Sequence, residues 1–264
     1  MKFKKSILTV LMSSVLLMSG CSSGGDSSST DEIQKIKDRG VLRIGTKVDV
    51  PKFGYKDPAT NEVDGLEIDI ARAIAKKILG DESKIETQAV AAKTRGPLLD
   101  NGEVDLVIAT FTITEERKES YNFSDAYFTD GVALLVKKDE GYNTLKDLDG
   151  KTIGVSQSST TKDSLLKEAE SLGITLKFSE YATYPEIKAA LDSGRVDCFS
   201  VDSAILTGYL DDSTVILDDR YNPQEYGIAS KKSNESLAKV VNEVVNEMKE
   251  SGELDKLIEK WEIR

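Results

Sequence analysis

The order of hydrophobic patterns constrains the fold of this chain most, because short strand-like runs alternate with longer segments of helical spacing. Residues 41–45 form a short apolar run, and the apolar residues between 70 and 79 then recur at intervals of three and four. Residues 85–90 and 104–109 repeat the strand pattern around a short helix predicted at 95–101. This alternation predicts a parallel sheet covered by helices, with a ligand site at the carboxyl ends of the strands.

A second series of alternating patterns follows residues 132–137 and predicts a second lobe. Its predicted elements are strands at 152–155, 175–178, 196–201 and 214–217, a helix at 159–172, and a helix from Thr183 with Pro185 and a capping box completed by Glu186. Two further helices are predicted around 237–248 and at 252–261. Extended segments at 132–137 and 225–230 connect the two series, so two strands are expected to form a hinge.

The first thirty residues have the composition of a leader followed by a tether. A start with three lysines precedes an apolar run at 7–18, which is too short to span a membrane and is typical of a secretion signal. The segment ends directly before Cys21 and resembles the lipobox of bacterial lipoproteins, so we expect residues 1–20 to be removed and Cys21 to be lipidated. The rest of 21–30 is polar and predicts a flexible tether. The alternative is an ordinary signal peptide with an incidental cysteine.

Composition argues against several classes of function. The formal net charge of −11 disfavours binding to nucleic acid and to anionic lipid surfaces. The chain contains no histidine, which removes the commonest general base and metal ligand, so no metal, cofactor or enzymatic activity is expected. Only Cys198 follows Cys21, which predicts a buried, inert thiol and no intrachain disulfide.

Four segments carry a resemblance to a known family, and the match extends from about residue 31 to the C-terminus. The segments are GTKVDVPKFGYKDPATNEVDGLEIDIARAIAKKILG (45–80), KTRGPLLDNGEVDLVIATFTITEERKESYNFSDAYF (93–128), LKDLDGKTIGVSQSSTTK (145–162) and the stretch 189–203. The chain resembles the substrate-binding lipoproteins of polar amino-acid ABC importers, known as solute-binding protein family 3. Through the runs KTRGP and SSTT it is most similar to the aspartate/glutamate-binding members.

The resemblance implies an α/β fold of the two-lobed, periplasmic-binding-protein-like type II, in which each lobe is a mostly parallel sheet flanked by helices. We expect lobe 1 at 31–135 and 229–264, lobe 2 at 136–228, and two hinge strands between them. The implied function is the capture of L-aspartate or L-glutamate between closing lobes and its delivery to an ABC permease. We expect a monomer that is lipid-anchored outside the cell membrane of a bacterium.

The family pattern and the chemistry of an amino acid together assign the expected contacts to its α-groups. An α-carboxylate taken out of water needs a bidentate cation and several donors, and Arg117 matches the family position for that cation. Asp202 matches the position that accepts the α-ammonium. The other expected contacts are four threonines, two of which begin a helix whose free N–H groups attract anions: Thr110, Thr112, Thr160 and Thr161. The alternatives are a surface ion pair for Arg117 and helix capping for the others.

Arg95 decides the class of ligand that the sequence predicts. Glutamine would leave a buried Arg95 without a counter-charge, at a cost on the order of 3 to 5 kcal/mol, whereas aspartate or glutamate would supply one. Lys47 is a second candidate cation, and Phe53 and Tyr226 are candidates to contact the aliphatic part of the ligand. The alternatives are solvent-facing or loop positions for the cations and core positions for the aromatics. With the carboxylate of Asp202, the three cations give the expected site a formal charge of +2.

Three other functions remain open from the sequence. They are a binding protein for glutamine or another polar amino acid, a sensory or adhesive lipoprotein, and a dehydratase on the same fold. A dehydratase would need a catalytic acid in place of Asp202, so the run VDS at 201–203 and the absence of histidine disfavour it.

Overall fold

The structure, a computed structural model, describes residues 32–263. The predicted leader, the predicted tether and Cys21, the expected site of lipidation, lie outside the described residues. Between residues 32 and 263, none of the helices combines the length and the apolar character needed to cross a membrane.

Helices and strands alternate along the described part of the chain. The helices are α1 Glu32–Arg39, α2 Leu66–Leu79, α3 Arg95–Asp100, α4 Glu115–Ser120, α5 Thr161–Leu172, α6 Tyr184–Asp192, α7 Ser203–Leu206, α8 Glu235–Glu250 and α9 Glu253–Lys260. The strands are β1 Leu42–Thr46, β2 Asp49–Val50, β3 Gly54–Lys56, β4 Val63–Asp64, β5 Ile85–Ala89, β6 Leu106–Ile108, β7 Tyr121–Phe123, β8 Phe128–Lys137, β9 Thr152–Ser156, β10 Lys177–Tyr181, β11 Cys198–Asp202, β12 Thr214–Ile216, β13 Tyr221–Tyr226 and β14 Ala229–Lys231.

Each of the two lobes is built on one sheet. The first sheet has the order β5-β1-β6-β14-β7, and the second has the order β10-β9-β11-β8-β12 with β13 paired to β8. Three neighbouring strands are parallel in each sheet, β5-β1-β6 and β10-β9-β11, and the remaining pairs are antiparallel. A separate small sheet, β2-β3-β4, was not predicted from the sequence. The predicted α/β, two-lobed architecture is confirmed.

The two crossings between the sheets lie at β8 and at the turn between β13 and β14. Strand β8 already pairs with β13 at Phe128 and with β11 from Val132, so the boundary expected between residues 135 and 136 falls inside this strand. The polar sequence FTDG at its start hid this part of the strand from the hydrophobic pattern. Tyr226 at the end of β13 forms a bridge with Thr112 beside the first sheet.

The amphipathic helices bury the faces that their spacing predicts. Helix α2 buries Ile70, Ile74 and Ile78 on one side, and α8 buries Leu237, Val241, Val244, Val245 and Met248. The predicted capping box of α6 is present, because Thr183 and Glu186 each accept a backbone N–H of the other. Cys198 on β11 is buried and free, as predicted.

Gly65 begins the turn into α2 in a conformation that other residues rarely adopt. Its φ is 144°, and a Cβ added there would lie 2.1 Å from the carbonyl oxygen of Phe53. That close approach lets the N–H of Glu67 donate to the same carbonyl at 3.0 Å. The glycine is therefore required both for its backbone angle and for the space beside Phe53.

We predict that Gly65→Ala lowers the free energy of unfolding by about 3 kcal/mol or more, because backbone strain and a steric clash add. Urea unfolding measures the loss. Gly80→Ala is the matched control, since Gly80 has φ of 76° but nothing within 4 Å of the added Cβ, and its expected cost is about 1 kcal/mol. Equal losses for the two variants would show that the approach to Phe53 contributes nothing.

Candidate functional site

Arg117 projects from α4 in the first lobe and contacts the second lobe. Its Nη1 donates to the carbonyl of Thr112 at 2.7 Å, and its Nη2 donates to the carbonyl of Ser158 at 3.2 Å. The guanidinium carbon lies 4.8 Å from the ring centroid of Phe111. Burial, with a smaller effect of Arg95, lowers the pKa of Arg117 to about 9, so this side chain remains a cation at neutral pH. Arg117 is thus positioned at the interface of the lobes.

Arg95, the first residue of α3, is only 3% exposed. Its Nη1 donates to the carbonyls of Ala109 and Thr110, at 2.7 and 3.1 Å, and its guanidinium carbon lies 3.9 Å from the ring centroid of Phe111. Among residues 32–263, nothing forms a hydrogen bond with its Nε. Burial lowers the pKa of Arg95 from its ordinary value. The solvent-facing alternative for Arg95 is therefore wrong.

The two arginines share one aromatic ring, that of Phe111, and neither has an ion pair. Within residues 32–263, every carboxylate oxygen lies more than 4.0 Å from the guanidinium nitrogens of both. Buried arginines are usually paired with an anion, because an uncompensated charge out of water is costly. The site therefore presents two guanidinium groups that can still accept an anionic partner.

Lys47 directly follows β1 and is 1% exposed. Its Nζ lies 3.0 Å from Oδ1 of Asp49 and 4.4 Å from the ring centroid of Tyr184. Burial lowers the pKa of Lys47, and the attraction of Asp49 opposes that effect. Asp49 was not predicted as a site residue, and its carboxylate already neutralises Lys47.

Glu67 is a second carboxylate that the sequence reading missed. It is fully buried, and its Oε1 accepts hydrogen bonds from the N–H of Thr110 at 2.5 Å and from the hydroxyl of Tyr127. Burial raises the pKa of Glu67, whereas these two donors and the nearby Arg95 and Lys47 lower it. A signal was present in the sequence, because a glutamate at position 67 falls on the apolar side of α2.

Three cations in this region therefore face three carboxylates, and the expected formal charge of +2 does not hold. The carboxylates are Asp49, Glu67 and Asp202. Glu67 and Arg95 also hold the two polar backbone groups of Thr110, which has the unusual φ of 43° for a β-branched residue. The backbone of Thr110 is fixed between opposite charges.

Asp202 ends β11 in the second lobe and is buried. Its Oδ2 accepts a hydrogen bond from the hydroxyl of Tyr226 at 2.5 Å. Burial raises the pKa of Asp202 to about 7; the hydrogen bond from Tyr226 opposes the rise, Asp130 adds to it, and Arg95 and Arg117 oppose it. The influence of both arginines on Asp202 means that residues of both lobes converge here.

Five other predicted residues contact mainly other protein groups. The hydroxyls of Thr112 and Thr160 both donate to Oε1 of Gln224, at 2.9 and 2.7 Å. Gln224 is fully buried on β13, and no hydrophobic pattern marks it as a site residue. Thr161 begins α5 and is buried, and Tyr226 is fully buried. Phe53 packs edge-on against Phe128 and Tyr226, with centroids 5.3 and 6.0 Å apart, which is a core position.

An open groove of about 760 Å³ borders this buried cluster. Arg117 and Thr160 line the groove together with Ser158 and Asn222. Lys47, Arg95, Asp202 and Tyr226 do not line it. The predicted residues therefore fall into two adjoining groups. Lys47, Arg95, Asp202 and Tyr226 are buried, whereas Thr160 and Arg117 line the groove.

Residues 42–263 match the bacterial extracellular solute-binding proteins, family 3. The chain belongs to this family. Its membership accounts for the two lobes and for the convergence of polar groups between them.

Curated relatives of the chain are binding proteins for several amino acids. A glutamine-binding protein of Geobacillus stearothermophilus is 40% identical over 250 residues, covering 89% of this chain and 94% of that protein. The ABC transporter glutamine-binding protein GlnH of Bacillus subtilis (strain 168) is 37% identical over 265 residues, covering 97% and 96%. The glutamate-binding protein GluB of Corynebacterium glutamicum is 32% identical over 247 residues, covering 89% and 82%.

Solved structures show the same fold. An ancestral arginine-binding protein bound to arginine has a TM-score of 0.75 and 39% identity, with 84% of this chain and 98% of that chain covered. The same kind of protein bound to glutamine has a TM-score of 0.74 and 38% identity, with the same coverage.

The raised pKa of Asp202 predicts a pH-dependent affinity for amino acids. An α-ammonium requires the carboxylate form, so affinity should fall as the pH is lowered from about 8 to about 5.5, by up to about tenfold per pH unit below the pKa. Calorimetric titration across this range measures the affinity.

The raised pKa of Asp202, taken alone, also makes the free protein less stable as the pH rises from 3.8 towards about 7, because the native state holds the proton more tightly than the unfolded state.

Tyr226→Phe is the control for this pH dependence. It removes the hydrogen bond that lowers the pKa of Asp202, so the loss of affinity should begin at a higher pH. An affinity that is flat between these pH values in the wild type would contradict the role assigned to Asp202.

Proposed function

We propose that this protein captures L-aspartate or L-glutamate outside the cell and delivers it to the permease of an ABC importer. The coarser function, an amino-acid-binding component of such an importer, rests on the family and on its named relatives. The single observation that carries the acidic ligand is that neither Arg95, which is buried, nor Arg117, which is partly buried, has an ion pair among residues 32–263. A ligand with two carboxylates supplies one anion to each.

In this proposal each charged group of the ligand has a distinct partner. Arg117, which bridges the lobes, binds the α-carboxylate, and Asp202 accepts the α-ammonium. Arg95 binds the side-chain carboxylate, and Lys47 adds a weaker attraction because Asp49 already neutralises it. Leaving Arg95 unpaired costs on the order of 3 to 5 kcal/mol, so the ligand's second carboxylate is a large part of its affinity. Capture and release require no covalent step, and none is proposed.

Glutamine is the second candidate ligand, and two observations favour it. The carboxylates of Asp49 and Glu67 balance Lys47 and Arg95 formally, which suits a ligand whose side chain is neutral. The relatives with 40% and 37% identity are also named as glutamine-binding. In that case the amide oxygen of the ligand would accept from Arg95, and Glu67 would supply the counter-charge at longer range.

We predict that isothermal titration with the wild type gives tighter binding of L-glutamate or L-aspartate than of L-glutamine, with no binding of L-arginine. Arg95→Met keeps the length and the contact with Phe111 but removes the charge. This variant should lose at least about thirtyfold in affinity for the acidic ligands, the equivalent of about 2 kcal/mol, and change little towards glutamine.

Arg72→Met is the matched control, because Arg72 is partly exposed and pairs with Asp64 and Asp69 away from this site. It should leave all affinities unchanged. Tighter binding of glutamine than of glutamate by the wild type would reject the acidic ligand in favour of the second candidate. Binding of none of the four amino acids would reject both.

We also propose that Cys21 anchors the protein through lipid and that it acts as a monomer at the membrane surface. The lipobox-like sequence before Cys21 supports the anchor. Cys21→Ser should move the protein from the membrane fraction to the medium or to the soluble extracytoplasmic fraction, as seen by immunoblotting, because one tether is removed. The buried Cys198→Ser is the control and should stay with the membrane. Membrane retention of Cys21→Ser would contradict the anchor.

A further inference from the structure

A short segment of the first lobe contacts the second lobe outside the two crossing strands. The segment is 49–51, which includes β2 and Pro51. The Oδ2 of Asp49 accepts a hydrogen bond from the N–H of Tyr184 at 3.3 Å, at the start of α6. The backbone carbonyl of Asp49 accepts another from the hydroxyl of Tyr209. One residue therefore makes two polar contacts between the lobes.

Pro51 makes the third contact of this segment, against Gly208. A Cβ added to Gly208 would lie 2.8 Å from both Cδ and Cγ of Pro51 and 3.0 Å from its Cβ. The φ of Gly208 lies outside the left-handed range, so alanine can adopt its backbone conformation without strain. The lack of a side chain at Gly208 is therefore required for the close approach of Pro51. It is not required for the backbone conformation of Gly208.

The same segment is connected to the buried cations. Asp49 forms the ion pair with Lys47, and the Lys47 ammonium lies over the ring of Tyr184, whose N–H Asp49 accepts. Asp49 thus connects Lys47, one of the buried cations, directly to the contact between the lobes. Pro51, Gly208 and Tyr209 have no part in the contacts proposed for the ligand.

We propose that Asp49 and Pro51, with Tyr184, Gly208 and Tyr209, form a latch that holds the two lobes together around the ligand. These are positioning residues, which set the lifetime of the closed form without contacting the ligand. The closed form retains its ligand as long as contacts between the lobes persist, so the latch determines the rate of ligand release. The inference rests on the proposed function only in that a ligand between the lobes is needed to observe release.

The decisive variant is Gly208→Ala, tested for dissociation of L-glutamate and, separately, of L-glutamine by stopped-flow fluorescence. We expect dissociation to be at least about tenfold faster, with a smaller change in association, because the lobes can no longer approach fully. Small-angle scattering with saturating ligand should give a larger radius of gyration than that of the wild type. Circular dichroism and a cooperative melting transition verify that the variant is folded.

A rescue variant separates the steric contact from a general effect on structure. Pro51→Ala removes Cγ and Cδ, the atoms that the new methyl group would meet first. In the Gly208→Ala background it should restore part of the slow dissociation and part of the compaction. A merely structural defect at Gly208 would not respond to the removal of atoms from Pro51.

Tyr209→Phe keeps the volume of the side chain and removes only the hydroxyl that donates to Asp49, so it serves if Gly208→Ala does not fold. It should speed dissociation by roughly threefold to tenfold. Unchanged dissociation in both variants, or in Tyr209→Phe alone where Gly208→Ala is unfolded, overturns the latch. The wild type distinguishes the two proposals. Failure to bind L-aspartate, L-glutamate and L-glutamine alike rejects the proposed function, whereas ligand binding with unchanged dissociation in the variants rejects only the latch.

Discussion

The packing of two guanidinium groups, that of Arg95 buried and that of Arg117 partly buried, against one phenyl ring is the constraint on which the rest of the site depends. Arg95 and Arg117 both lie over Phe111, at 3.9 and 4.8 Å from its centroid, and repel each other there. A protein tolerates such an arrangement only if nearby dipoles and charges offset it. The carbonyls of Ala109, Thr110 and Thr112 supply the dipoles. The left-handed conformation of Thr110 is the local strain that this arrangement requires.

Glu67 has a double effect on this arrangement. It fixes the N–H of Thr110, and thereby the carbonyl that Arg95 uses, and it places a negative charge near Arg95. Both hydrogen bonds go to its Oε1, while within the described residues its Oε2 has no partner. The ionisation of this one carboxylate therefore shifts the balance between an anionic and a neutral ligand side chain. In the proposed function, selectivity depends on Glu67 and Arg95, two buried groups that lie on different elements, α2 and α3.

The sequence predicted those parts of the fold and site that local patterns encode. Strands β1 and β6 could be predicted from apolar runs, and Lys47 and Thr110 lie just after the carboxyl ends of these two neighbouring parallel strands. Glu67 could have been found in the same way, because it breaks an apolar helical face. Asp49 and Gln224 could not, since their partners lie 135 residues away at Tyr184 and 112 residues away at Thr112. These two contacts form only when the two lobes meet.

Two of the relatives are named as glutamine-binding and one as glutamate-binding, and the charges around Arg95 support either kind of ligand. Identity of 40% with a glutamine-binding protein is an average over 250 residues. The choice between a carboxylate and an amide concerns a few groups, chiefly Arg95, Glu67 and the pair Lys47–Asp49, whose replacement barely alters the identity. The α-groups are common to all candidates, so Arg117 and Asp202 carry no information on the side chain. In the proposed function, discrimination therefore comes from the charges at Arg95, where a ligand carboxylate would add a second anion to that of Glu67.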